Sequence, residues 1–109
     1  NANANANANA NANANANAAE VYITLAEAAR RFGDFERAVD AYEKALAHAG
    51  RPAQPALQLA LGATAIHADR EDLARRSLEA IPEDAPERVR ADAWLRHLEA
   101  RTARDDSGR

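Results

Sequence analysis

A repeat of the helical pattern after 36 residues constrains this chain more than any other feature. The matched positions carry the same residue or two apolar residues: Leu25 and Leu61, Ala29 and Ala65, Ala38 and Ala74, Tyr42 and Leu78, and Ala45 and Ile81. One helix pair of this kind cannot bury its apolar face alone, so neighbouring copies must stack to build a core. The sequence therefore predicts two stacked helix pairs.

The helices of the first pair are marked by apolar residues three or four positions apart. In the first helix these are Val21, Tyr22, Leu25, Ala28, Ala29 and Phe32, and in the second they are Phe35, Ala38, Val39, Tyr42, Ala45 and Leu46. Gly33 is expected to end the first helix with a positive φ, and Asp34 is expected to cap the second.

The second pair follows from similar signals. Pro55 suits the start of a third helix, whose sequence PALQLALGATAIHA is apolar around most of its circumference. Asp69 is expected to cap a fourth helix, which Pro82 ends.

A fifth helix is expected to begin near Pro86, with Asp84 or Ala85 as its cap. Its predicted buried stripe is Val89, Ala91, Trp94, Leu95 and Leu98. No segment alternates like a strand, so the predicted fold class is all-α, with five helices and short turns.

The first eighteen residues alternate Asn and Ala and carry no large apolar side chain. We interpret residues 1–18 as a low-complexity tail or tag, with a helix docked on the repeats as the alternative. If the segment is ordered, we expect a helix, because Asn and Ala are both poor strand residues. Residues 105–109 are expected to form a frayed polar tail.

Residues 19–52 resemble a tetratricopeptide repeat. The residues that carry the resemblance are Tyr22, Leu25-Ala26, Ala29, the turn Gly33-Asp34-Phe35, and Ala38, Tyr42 and Ala45 of the second helix. Residues 55–85 are similar to a second, more divergent copy, and residues 86–104 resemble the solvating helix that ends such arrays. The resemblance implies a short right-handed α-solenoid at 19–104, built from two helix pairs and a C-terminal capping helix.

Packing roles follow from residue size at the repeated positions. Small residues let paired helices approach closely at four positions: Ala26, Ala38, Gly62 and Ala74. Large residues are expected to fill the space between the helices: Leu25, Tyr42, Leu61 and Leu78.

In arrays of this family the first helix of each pair lines a concave surface. The resemblance places nine residues in such a groove: Ile23, Thr24, Glu27, Arg30, Arg31, Leu59, Ala63, Ile66 and His67. A peptide or amphipathic helix of a protein partner is expected to bind there through apolar anchors. Alternatively, the chain's own last helix or its Asn-Ala segment covers the apolar residues. The apolar helix at 56–66 also makes a homo-oligomer an expectation.

The residues give no support for catalysis, a cofactor or a metal site. The chain has no cysteine, and His48, His67 and His97 lack the spacing of paired metal ligands. Ser77 and Ser107 stand in no nucleophile context, and there is no glycine-rich phosphate loop.

Charge and hydropathy narrow the choice of partner. The net charge is −3, and the arginines of the last helix alternate with acidic residues, which argues against nucleic acid. No run of apolar residues is long enough to span a membrane, so a cytoplasmic protein is expected.

Two functions remain open from the sequence. The first is a scaffold or adaptor module that binds a protein partner and has no chemistry of its own. The alternative is a regulatory or co-chaperone segment of a larger multidomain protein, which the missing initiating Met favours.

Overall fold

The computed structural model describes the backbone of residues 2–107 and the side chains of residues 12–104. Five α-helices and one short 3-10 helix make up this part of the chain, and it contains no strand. The helices are α1 (Ala2–Arg31), α2 (Phe35–His48), α3 (Gln54–His67), α4 (Glu71–Glu79) and α5 (Arg88–Ser107), with the 3-10 helix at Arg51–Ala53 between α2 and α3. The predicted all-α class is confirmed. The chain divides into two compact units, the first ending at Gln54 and the second beginning at Pro55.

The Asn-Ala segment is not a separate element. It is the first half of α1, a continuous helix of 30 residues that runs through residue 18 without a break. Its Asn15 side chain lies 3.2 Å from Nδ1 of His48, at the end of α2. The His48 ring in turn stacks on Tyr22 of α1, with ring centroids 5.7 Å apart. These contacts join α1 to the C-terminal end of α2.

In the first unit, α1 packs on α2 through small side chains. Ala26 of α1 and Ala38 and Ala45 of α2 are completely buried, and Tyr42 is 3% exposed. The small residues expected at the helix contact are therefore confirmed there. Because no branched side chain separates the two backbones at these positions, the helices can lie close together.

The outer side of α1 is more exposed than the sequence predicts. Three apolar residues from the predicted helical pattern, Val21, Leu25 and Phe32, are 58%, 53% and 90% exposed. Ala28, between Leu25 and Phe32 on the same face, is also exposed. The periodicity of the sequence correctly placed these residues on one side of the helix, but in the first unit that side is not covered. The prediction that Leu25 fills the space between helices is wrong.

Both helix pairs turn through the same backbone motif. After α1, the N–H of Asp34 donates to the Ala29 carbonyl at 2.9 Å and that of Gly33 to the Arg30 carbonyl at 3.0 Å. After α3, the N–H of Arg70 donates to Ala65 at 2.8 Å and that of Asp69 to Ile66 at 3.1 Å. These paired bonds are the Schellman ending of a helix, which requires a left-handed residue at its C′ position.

Gly33 supplies that left-handed residue in the first turn, with φ of 80°, as predicted. In the second turn Asp69 supplies it, with φ of 59°. Asp69 is therefore not the N-cap of α4; that position belongs to Arg70. The corresponding expectation for Asp34 is confirmed, because its side chain accepts a hydrogen bond from the N–H of Arg37 at 3.2 Å.

Replacing Asp69 with Gly should raise stability by about 0.5–1 kcal/mol, because glycine adopts a positive φ without steric cost. The variant also loses a contact between the Asp69 carboxylate and Arg101 at 3.6 Å, but that carboxylate is 88% exposed and its ion pair contributes little. Chemical denaturation measures the change. The matched control is Gly33→Ala, whose new Cβ meets no atom within 4 Å. It should lose about 1 kcal/mol from backbone strain alone. Equal stability of wild type and Asp69→Gly would contradict this interpretation.

In the second unit, α3 and α4 approach at Gly62 and Leu78. A Cβ at Gly62 would lie 2.6 Å from both Cγ and Cδ2 of Leu78, which is closer than real carbon contacts. Leu78 and Ala74 are completely buried, and Leu61 is 3% exposed. The close approach predicted at Gly62 is confirmed, with Leu78 lying against it, and Ala74 and Leu61 are buried.

The last helix begins later than predicted. Two consecutive turns occupy the connection, with the N–H of Ala85 donating to Pro82 at 3.1 Å and that of Arg88 to Ala85 at 3.0 Å. Because these turns use the backbone around Pro86, α5 begins only at Arg88. The predicted frayed tail is helical through Ser107, and residues 108–109 lie outside the described residues.

Arg88 joins α5 to the end of α4. Its guanidinium donates to the Ile81 carbonyl at 2.8 Å and to the Glu79 carbonyl at 3.5 Å, and it pairs with Asp92 at 2.9 Å. The buried stripe of α5 is narrower than expected. Ala91 and Leu98 are completely buried and Trp94 and Leu95 are half-buried, but Val89 is 76% exposed.

Candidate protein-binding surfaces

The groove residues predicted in the first unit lie on one polar side of α1. Thr24, Glu27, Arg30 and Arg31 are exposed, and Ile23 is half-buried. Glu27, Arg30 and Arg31 are three and four positions apart, so they share a helix face. The Thr24 hydroxyl donates to the Glu20 carbonyl of its own helix at 3.0 Å. The hydroxyl proton is thus already engaged, and the three charged side chains are the stronger candidates for contacting a partner.

Two of these charged side chains, Arg30 and Glu27, affect the pKa of Tyr42 on α2. Burial raises the pKa of its phenol, Arg30 lowers it, and Glu27 raises it further. A cation and an anion of α1 thus act in opposite directions on the pKa of the same phenol. This side of the first unit therefore carries mixed charge and not one dominant sign.

The groove residues predicted in the second unit differ in their accessibility. His67 is exposed, Leu59 and Ala63 are half-buried, and Ile66 is only 4% exposed. Ile66 therefore belongs to the packed core and cannot serve as an accessible anchor, which corrects the role that the sequence gave it. The same holds for most of the apolar helix at 56–66, because Leu57 and Leu61 are also buried.

Aromatic rings from α5 lie beside the end of α3. Trp94 meets the His67 ring edge to face at 6.3 Å and the His97 ring at 5.9 Å. The chain's own last helix thus contacts His67 at the end of α3. Arg101 of α5 adds ion pairs to Asp69 and Glu71, at 3.6 and 3.4 Å, across the turn before α4.

A surface depression lies where the loop before α5 passes α3. Its volume is about 250 Å³, and it is lined by Leu59, Pro86, Glu87 and Arg90. Only Leu59 was among the predicted site residues. The other three were missed because Pro86 was interpreted as the first turn of a helix, and no local signal predicts that the loop folds back onto α3.

The described residues contain no group of three or more His, Cys, Asp or Glu side chains placed to hold a metal ion. Within the same part of the chain, no helix is both long and apolar enough to cross a membrane. The geometry of the two units thus offers side chains for noncovalent contact: charged groups on α1 in one, and a small apolar depression with a charged rim in the other.

The described geometry agrees with a family comparison. A family model described as tetratricopeptide repeat matches residues 29–98, which is more than half of the 109-residue chain. Comparisons with curated proteins and with solved structures give no match.

Proposed function

Because this chain belongs to the tetratricopeptide repeat family, we propose that it is a scaffold or adaptor module that binds a peptide or helix of a partner protein. Repeats of this family generally mediate contacts between proteins and are typically not enzymes. Recognition of this kind needs an accessible surface with apolar anchors and charges that fix register.

The observation that carries the proposal is the exposure of Glu27, Arg30 and Arg31 on the first helix of the first pair. The same helix is packed on α2, so the three side chains are held on a fixed backbone. A helix-borne charge cluster is a defined recognition surface, because its spacing does not change when a partner binds.

The depression beside α3 supports the proposal in the second unit. Leu59 offers an apolar floor, and Glu87 and Arg90 stand at its rim. An apolar side chain of a peptide fits such a site, with an acidic neighbour facing Arg90. We propose amphipathic peptides that combine apolar anchors with acidic residues as the ligand class.

Selection from a displayed random peptide library tests this function on the full chain. The expected result is a set of binders with apolar and acidic residues, and synthetic copies of them are then titrated by fluorescence anisotropy. The double variant Arg30→Glu and Arg31→Glu makes the charged side of α1 acidic. It should weaken binding of these peptides by about tenfold or more, because their acidic side chains then meet like charge.

The matched control is Arg51→Glu with Arg104→Glu, which makes the same change in net charge at two exposed positions elsewhere. The control should keep the affinity of wild type. A selection that yields no binder above background would overturn the proposal, as would equal loss of affinity in the cluster variant and the control.

A further inference from the structure

The exposed apolar face of α1 has no role in the proposed peptide surface. It consists of Val21, Leu25, Ala28 and Phe32, which we call the α1 stripe. Their steps of four, three and four residues place them in one line along the helix. Phe32 is 90% exposed. An apolar line of this length on a helix marks a contact surface, because scattered single residues are the normal case for surfaces.

The repeat shows what kind of element covers this face. Thirty-six positions on, the equivalents of the stripe are Leu57, Leu61, Thr64 and Ala68. The first three are 5%, 3% and 0% exposed, and Ala68 is half-buried. These positions therefore belong to the stacking face of the repeat, which another helix normally covers. In the first helix pair the same positions are exposed.

The stripe also has the spacing of a coiled-coil seam. Ala14 and Ala18 continue it toward the start of α1, so steps of four and three residues alternate from residue 14 to residue 32. Such a pattern is the one that lets two helices pack along a shared seam. The two alanines are exposed and half-buried, respectively.

We propose that the α1 stripe is a dimer interface, in which α1 packs antiparallel against α1 of a second copy of this chain. A two-fold pair places the same surface on both partners, as isologous interfaces require. A head-to-tail contact is disfavoured, because the outward face of α5 is charged, with exposed Arg90, Arg96, Glu99 and Arg104.

Charge sets the antiparallel direction. Glu20 lies near one end of the stripe and Arg31 near the other, both exposed. A parallel pair would place Glu20 beside Glu20 of the second copy and Arg31 beside Arg31 of the second copy, and these like charges repel. The antiparallel pair brings Glu20 of one copy toward Arg31 of the second copy. It also lets the two helix dipoles run in opposite directions, which is favourable.

Shape agrees with the same direction. When Leu25 faces Ala28 of the second copy, Val21 faces Phe32 of the second copy, so each layer pairs a larger side chain with a smaller one. A depression of about 360 Å³ lies at this end of the stripe, lined by Glu20, Val21, Thr24 and Leu25. The Phe32 ring of the second copy has its natural place there.

Sedimentation velocity and light scattering on the full chain, from about 1 µM to about 1 mM, test the interface. Wild type should shift with concentration toward twice the chain mass of 11.7 kDa. Leu25→Glu should raise the dimer Kd by about 100-fold or more, because it buries an unpaired charge in the interface. Circular dichroism should show unchanged helicity, since Leu25 is already 53% exposed in the monomer.

Val89→Glu is the matched control, because Val89 is an exposed apolar residue of α5 outside the stripe, 76% exposed. It should dimerise like wild type. The proposal fails if wild type stays monomeric up to about 1 mM. That result is expected if the stripe binds a helix pair of a different protein and not a second copy of this chain. It fails equally if Leu25→Glu and wild type associate alike.

A distance measurement tests the direction. The chain has no cysteine, so Asn13→Cys gives one spin label per copy on an exposed position of α1. At about 1.5 Å per residue, the antiparallel pair places the two labels about 40 Å apart, and a parallel pair places them within about 15 Å. A short distance in a stripe-dependent dimer would overturn the antiparallel arrangement.

Discussion

Gly62→Ala should destabilise the chain by about 2 kcal/mol, although alanine is a better helix residue than glycine by about 1 kcal/mol. The added Cβ would lie 2.6 Å from Cγ and Cδ2 of Leu78. Leu78 is completely buried, and a close-packed core leaves its side chain little room to move aside. The clash must therefore separate α3 from α4, and urea denaturation would measure the loss as a lower midpoint.

A double-mutant cycle isolates that contact. Leu78→Ala alone should cost about 2–5 kcal/mol, because it leaves a cavity in the core. With Leu78 shortened, the clash is gone, and Gly62→Ala should then be neutral or stabilising by up to about 1 kcal/mol. Such a reversal of sign is specific to steric contact. If Gly62→Ala has the same effect in both backgrounds, the close approach at this position is not the cause.

Position 26 provides a control in the first helix pair. Ala26 occupies the repeat position equivalent to Gly62 and is completely buried. Ala26→Gly should lose about 1 kcal/mol, mainly from helix propensity. Thus one repeat position carries a methyl group and its equivalent has no room for one, because Leu78 lies against Gly62.

Leu98→Ala should be the most damaging single change in α5, with a loss of about 2–5 kcal/mol. Leu98 is completely buried, and its side chain contributes to the core of the second unit. Truncation removes the apolar contacts and leaves a cavity that the packed helices cannot close fully. Thermal unfolding followed by circular dichroism would show the change as a fall in Tm.

Val89→Ala is the matched test on the same helix. The sequence placed Val89 and Leu98 together in one buried stripe, whereas the structure leaves Val89 76% exposed. Its truncation should be neutral or slightly stabilising, since alanine has the higher helix propensity by about 0.6 kcal/mol. Comparable losses for the two variants would show that Val89 is buried, as the sequence predicted, and would contradict its exposed position in the structure.

Local signals predicted the first turn well and the later ones less well. Gly33 and Asp34 combine a helix-ending glycine with a capping carboxylate, and each residue suits only its own position. Asp69 was misplaced because aspartate is suited both to an N-cap and to a left-handed φ. Similarly, Pro86 suits both the first turn of a helix and a tight turn. The backbone hydrogen bonds before Arg88 show that it lies in a tight turn.

Which faces are covered could not be read from periodicity. The spacing of Val21, Leu25 and Phe32 identifies one face of α1, but only tertiary packing determines whether that face is buried. The same limit explains Ile66, which was predicted to be accessible and is instead part of the core. The depression around Leu59 was beyond local signals, because it depends on where the loop before α5 lies.

Arg88 has a consequence for how the second unit opens. One guanidinium holds the carbonyls of Glu79 and Ile81 while its own helix supplies the Asp92 carboxylate. If α5 detached alone, the Glu79 carbonyl at the end of α4 and the Ile81 carbonyl just beyond it would lose their donor, and α4 is only nine residues long. A helix this short does not persist in water without its tertiary partners. Loss of α5 should therefore loosen α4, with its contact on α3 as the remaining tertiary support, and the amides of α4 should then exchange faster with solvent.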